Sequence, residues 1–179
     1  LTLLVLIQGI LGAITVQYLL PPTIVIAHLA IAFMLVVAMS GINQRLLCQD
    51  SDSRHTTLWW RVAGITSLFA VIVQSLLGSR VATSWAAQRC INQGESCQIL
   101  DLHRITAIPV TILILAFALS SLLISGWSRR QWPLLLPVCI IICLQVCLGI
   151  FSIRFSLSQP LITIGHQMCA ALLVALLSA

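Results

Sequence analysis

Six apolar runs follow one another along the chain, each about as long as the roughly 18 residues that mark a membrane-spanning helix, with short polar segments between them. The pattern predicts helices over 1–18, 23–42, 58–84, 100–125, 133–155 and 159–179. Pro21, Pro22, Pro133 and Pro160 fall at or beside these boundaries, where a helix tolerates proline best. Pro109 lies inside the fourth run, so neighbouring helices or a local kink must satisfy the carbonyl it frees. Trp59, Trp60, Trp85, Trp127 and Trp132 all sit at run ends, the depth at which amphipathic rings settle in a bilayer. The expectation is an all-α integral membrane protein with six transmembrane helices.

Composition agrees. Apolar residues make up 60% of the 179 positions and charged ones 7%, so the solvent is lipid rather than water. All nine basic residues are arginines, and the net charge of +5 is too dispersed for the clustered basic face of a nucleic-acid-binding protein. The arginines mark topology instead. Arg45 and Arg54 lie in the connection 43–57, Arg129 and Arg130 in 126–132, and Arg61 follows at a helix start, whereas the opposite connections 19–22, 85–99 and 156–158 hold only Arg89. By the positive-inside rule the first set faces the cytoplasm. The chain starts with Leu1 inside an apolar run, without Met, a basic n-region or a cleavage site, so an upstream segment is expected.

A repeat organises the helices. Each outward-running helix carries Gln and, four residues later, Gly: Gln8 and Gly12, Gln74 and Gly78, Gln145 and Gly149. Each returning helix carries one His near its start: His28, His103 and His166. A Gln-x-x-x-Gly spacing alone is weak, because small residues suit any helix interface. Three occurrences at equivalent places, each followed by a His, describe three copies of one hairpin. Hairpins one and three share short turns, whereas hairpin two has the longer loop containing Cys90 and Cys97. Residues 58–179 therefore form a four-helix unit, residues 1–42 look like the second hairpin of another such unit, and 43–57 is a cytoplasmic linker. An upstream hairpin with its own His would complete a duplicated 4+4 helix bundle.

His28, His103 and His166 share a layer within roughly 10 Å of the outer boundary. Ionisable groups inside a membrane are costly and point to function; the bland alternative is an imidazole hydrogen-bonded across helices. Paired imidazoles from neighbouring helices hold haem iron in bundles. Zinc would more often take three close ligands with a carboxylate or thiolate, and the spans contain almost no acids. Arg80, Arg104 and Arg154 lie near the same face, suited either to pairing with haem propionates or to snorkelling toward headgroups. His55, beside Arg54, reads as a solvated loop residue. Cys90 and Cys97 are placed to form a disulfide in an oxidising outer compartment, as a structural staple or as a redox pair. Cys139, Cys143 and Cys147 step along one helix face and read as small hydrophobes rather than a metal ladder; Cys48 and Cys169 carry no signal.

These residues resemble a known family. The run from Gln8 through Gly12 to Val16, with Leu20, Pro21, Pro22, His28 and Leu29, resembles the third and fourth helices of haem A synthase. Gln74, Leu77, Gly78, Ser84, Trp85, Ala86, Cys90, Cys97, His103 and Arg104 resemble its fifth and sixth, in a form similar to cyanobacterial members, and Gln145 to His166 the last pair. The resemblance implies a haem b cofactor held by His103 and His166 as axial ligands, and a substrate haem O toward which His28 supplies one ligand. It implies oxidation of the C8 methyl of haem O to a formyl group, making haem A for cytochrome oxidase, with the haem carrying the redox chemistry. It also implies a catalytic Glu, three residues before a further His, expected upstream of Leu1; the matching position in hairpin two is Leu100.

The main alternative is a bis-His haem b electron carrier without haem-modifying activity. A transporter would place its polar groups at the midplane rather than near one face, and a thiol oxidoreductase would need Cys90 and Cys97 to cycle. The expected partners are haem O and membrane lipid, with haem O synthase, an electron acceptor and a second copy of the chain as further candidates, and no nucleic acid. The expected location is the bacterial plasma membrane or an internal respiratory membrane, with the His layer and the Cys90–Cys97 loop on the extracytoplasmic side.

Overall fold

A computed structural model describes residues 1–47, 57–83, 98–124, 131–155 and 159–179. Among them every regular element is an α-helix: α1 (Thr2–Gln17), α2 (Pro22–Leu47), α3 (Leu58–Thr83), α4 (Gln98–Leu123), α5 (Trp132–Arg154) and α6 (Pro160–Leu177). The protein is an all-α, multi-pass membrane protein, and α2 to α6 are each long and apolar enough to cross a bilayer. α1 is a shorter apolar helix of 16 residues, roughly 24 Å at 1.5 Å per residue.

Local chemistry sets the helix ends. α5 and α6 both begin with proline in the first turn, where the missing N–H costs nothing. α4 starts two residues earlier than the hydropathy predicts, with Asp101 in its first turn, and α2 runs five residues further, with Arg45 in its last turn; both charges suit the helix dipole. Pro137 lies within α5 and Pro109 within α4. α1 stops in a Schellman arrangement, with the Leu20 N–H donating to the Thr15 carbonyl at 2.9 Å and the Leu19 N–H to Val16 at 3.4 Å. This puts Leu19 and Leu20 at φ 54 and 64, a left-handed conformation unusual for leucine.

α3 packs on α4, α4 on α5, α5 on α6, and α6 returns to α3, so α4 and α6 stand at opposite corners of a four-helix ring. α2 lies against α3 and α6, and α1 against α2. The main core gathers Phe33 of α2, Val71 of α3, Ile114, Phe117 and Ala118 of α4, Leu135, Val138 and Ile142 of α5, and Leu173 and Val174 of α6. Trp60 meets the edge of Phe117, with ring centroids 5.3 Å apart, and Gly64 lets that ring approach α3. Ser40 of α2 donates to the Ala175 carbonyl of α6 at 2.8 Å. A smaller cluster at the other end joins Val81, Ile99, Leu100 and Ile153. Leucines, isoleucines and phenylalanines elsewhere on the helices face outward, as a lipid solvent allows.

Trp59 and Trp132 are exposed at the starts of α3 and α5, on the end remote from the histidines. Trp85, Trp127, His55, Arg54, Arg89, Arg129, Arg130, Cys48 and the Cys90–Cys97 pair lie outside the described residues.

Candidate functional site

Gln and Gly four residues apart lie one above the other on a single helix face. In each hairpin that face receives the imidazole of the returning helix. A Cβ on Gly12 would meet Cε1 of His28 at 3.3 Å; on Gly78 or Gly149 it would meet Cε1 of His103 or His166 at 3.0 Å. Glycine is required because the ring occupies the volume a side chain would fill. One turn deeper, the glutamine bonds that ring: Gln8 Nε2 lies 3.2 Å from His28 Nε2, Gln74 Nε2 3.1 Å from His103 Nδ1, and Gln145 Nε2 3.4 Å from His166 Nε2. The repeat read in the sequence is thus a repeated imidazole socket. The hydrogen-bonded role weighed for the histidines is realised in all three.

The sockets differ in which ring nitrogen is engaged. His166 Nδ1 lies 3.0 Å from the backbone carbonyl of Gln145, which can only accept, so Nδ1 carries the proton and Nε2 the lone pair. His28 resembles it: the Gln8 amide reaches Nε2, and Nδ1 is buried with no partner among the described residues. His103 is reversed. The Gln74 amide nitrogen donates to the His103 carbonyl at 2.7 Å, its oxygen lies 2.9 Å from the Thr106 hydroxyl, and its second N–H points to Nδ1. Nδ1 is therefore the acceptor, and the proton sits on Nε2.

All three histidines lie at matching depth. His28 and His166 are the seventh residues of α2 and α6, and His103 is the sixth of α4 because that helix starts at Gln98. Each is roughly 8–9 Å from its helix start. His103 and His166 stand on α4 and α6, at opposite corners of the ring. Val81, Leu100 and Ile153 close over the level of Gly78 and Gly149, and the main core lies beneath. Leu100, the position matching the expected carboxylate, is a buried member of that apolar cap.

No group of three His, Cys, Asp or Glu side chains suited to one metal ion exists among the described residues. The donor set offers two imidazoles between apolar layers, His103 and His166, which would suit a flat, largely apolar macrocycle whose metal takes nitrogen ligands. Arg80, Arg104 and Arg154 are exposed at the same end. Arg104 lies 3.9 Å from Asp101, a solvent-facing pair of small energetic weight. Of the cysteines in α5, Cys143 and Cys147 are exposed and Cys139 half-buried, so two of the three face outward rather than fill the core; Cys169 of α6 is buried.

A family model described as a cytochrome oxidase assembly protein, COX15-CtaA, matches residues 1–178. The chain belongs to that family. It is the family to which the sequence resemblance points, while no curated protein and no solved structure matches the chain. In this member of the cytochrome oxidase assembly family, the roles of Gln74 and Thr106 escaped sequence reasoning. A signal existed: Thr106 follows His103 by three residues, on the same helix face, and the glutamines recur one turn from each glycine.

Proposed function

We propose that the protein is a haem A synthase, an oxidoreductase that converts the C8 methyl of haem O to a formyl group to make haem A for cytochrome oxidase. The observation that carries this reading is the placement of His103 and His166 at one depth, on opposite corners of the helix ring, between two apolar layers. In the proposal these two imidazoles hold a haem b through Nε2, and His28 supplies one ligand to the iron of haem O. Bound there, haem b would supply the electron-transfer chemistry. The chain's own residues orient the rings, exclude water and present Arg80, Arg104 and Arg154 at the end where propionates would emerge.

In this reading α3 to α6 form one half of a duplicated 4+4 bundle, and α1 and α2 belong to the other. The His layer and the Cys90–Cys97 disulfide face the extracytoplasmic side of a plasma or internal respiratory membrane. Haem O synthase and an electron acceptor are the proposed partners. A bis-His haem b electron carrier is the second reading, favoured by the fact that His103 and His166 alone account for the cofactor.

The test is direct. Protein purified from haem-replete cells is expected to show a six-coordinate, low-spin haem b spectrum, lost in His103→Ala and His166→Ala and retained in His28→Ala. A colourless preparation refutes both readings. Haem extracted from cells that supply haem O and express the full-length protein, with the expected upstream Glu, separates them, because the synthase yields haem A, and the His28→Ala variant should not.

A further inference from the structure

The three sockets look alike in sequence, yet hydrogen bonding divides them into two kinds. His166 already holds its ring proton on Nδ1, against a backbone carbonyl that cannot turn away, so Nε2 presents its lone pair. A ring held this way already has the tautomer that metal binding requires, and only the long 3.4 Å contact from the Gln145 amide to Nε2 has to give way. His103 is held the other way round. Its Nδ1 accepts from Gln74, whose amide is fixed by the His103 carbonyl at 2.7 Å and by Thr106 at 2.9 Å, and its Nε2 carries the proton.

We propose that Gln74 is a positioning residue that makes His103 the conditional, displaceable ligand of the pair, while His166 is the fixed one. This rests on the proposed bis-His haem site and deepens it. For Nε2 of His103 to ligate iron, the ring proton must leave Nε2 and end on Nδ1, with no net gain or loss of protons. Nδ1–H would then face the Gln74 amide nitrogen at 3.1 Å, donor against donor. The conflict is relieved when the amide turns over. Its oxygen then accepts from Nδ1–H, and its nitrogen donates to the Thr106 hydroxyl, whose own proton goes to the Leu102 carbonyl at 2.7 Å. The bond to the His103 carbonyl is lost in the exchange, and the turned amide oxygen must draw back from that carbonyl oxygen, which its nitrogen had met at 2.7 Å. The ligated form of His103 thus depends on one side chain, and that of His166 on the main chain.

The experiment uses the full chain, purified with haem, as wild type, Gln74→Glu, Gln74→Leu, Gln145→Leu and Thr106→Val. The readouts are the haem midpoint potential and the rate at which carbon monoxide replaces a ligand on the ferrous iron. A carboxylate at 74 accepts from Nδ1–H and makes the imidazole a stronger donor. Gln74→Glu is therefore expected to lower the potential and slow carbon monoxide binding about tenfold. Gln74→Leu leaves Nδ1–H without an acceptor and is expected to raise the potential and speed binding about tenfold, or to lose the haem. Thr106→Val, with Gln74 intact, should also speed binding. Gln145→Leu should leave both quantities within about twofold, because the partner of His166 Nδ1 is backbone.

Opposite shifts for Glu and Leu at one position are the signature, since a merely structural glutamine would give shifts of one sign. A flat Gln74 series, shifts of one sign, haem loss from Gln74→Glu, or an equal response from Gln145→Leu would each overturn the inference while leaving a low-spin wild type intact. A colourless wild type overturns the bis-His reading itself, and this inference with it.

Discussion

Replacing Gly78 or Gly149 with alanine tests the sockets at their tightest point. The new methyl would sit 3.0 Å from Cε1 of His103 or His166, against ordinary carbon contacts of about 3.5–4.0 Å. The ring must therefore retreat by roughly 0.5–1 Å. Cε1 is bonded to both ring nitrogens, so the displacement passes directly to Nε2 and to Nδ1, the atom that Gln74 holds in His103. The Gln74 contact, already 3.1 Å, would open past the roughly 3.5 Å at which a hydrogen bond is lost. Alanine gains about 1 kcal/mol of helix propensity over glycine, and overpacking costs about 1–3 kcal/mol. The net is a destabilisation of up to about 2 kcal/mol, with a larger effect on haem retention.

Gly12→Ala, at 3.3 Å, should come out near zero, and Gly9→Ala and Gly41→Ala, with nothing within 4 Å, should each stabilise the helix by up to about 1 kcal/mol. Denaturation of the purified protein in detergent gives the stability order, and the absorption spectrum gives the low-spin haem content. If Gly78→Ala proved as stable as Gly9→Ala and kept its low-spin haem, the ring would not lie against α3 and the socket geometry would be wrong.

Three further substitutions probe the scaffold. Ile114, fully buried between the helices, should cost about 2 kcal/mol as alanine, because in lipid the transfer gain of burial is small and the cavity of roughly 80 Å³ supplies most of the loss; a thermal-stability assay in detergent reads it. Ser40→Ala removes the bond from α2 to the Ala175 carbonyl and should cost about 0.6–1 kcal/mol, seen as easier detachment of the α1–α2 hairpin under limited proteolysis. Leu19→Gly relieves a left-handed leucine; strain of about 1–2 kcal/mol set against the added backbone entropy of glycine leaves a gain of up to about 1 kcal/mol, and a lower unfolding midpoint would contradict it.

Hydropathy and proline placement located the six helices to within a few residues, since both act along the chain itself. The Gln-x-x-x-Gly and His positions followed from sequence too, and with them the depth of the histidines, because rise per residue is fixed by helix geometry. The early start of α4 was not legible: Gln98 and Ile99 read as loop by hydropathy, yet with Asp101 after them they form a first helical turn.

Rotation about each helix axis was beyond the sequence. These helices are apolar nearly all round, and such helices carry no stripe to say which side faces in. Packing alone turned Cys143 and Cys147 outward and left Asp101 and Arg104, neighbours by their i, i+3 spacing, on an exposed face. It also put α4 and α6, the helices that carry His103 and His166, at opposite corners of the ring. The sense of each imidazole was decided at the same level. The same three residue types gave a ring proton on Nδ1 at His166 and on Nε2 at His103, because one ring meets a backbone carbonyl and the other an amide pinned by Thr106. Chain order determines which residues can meet; only the packed helices determine which atoms do.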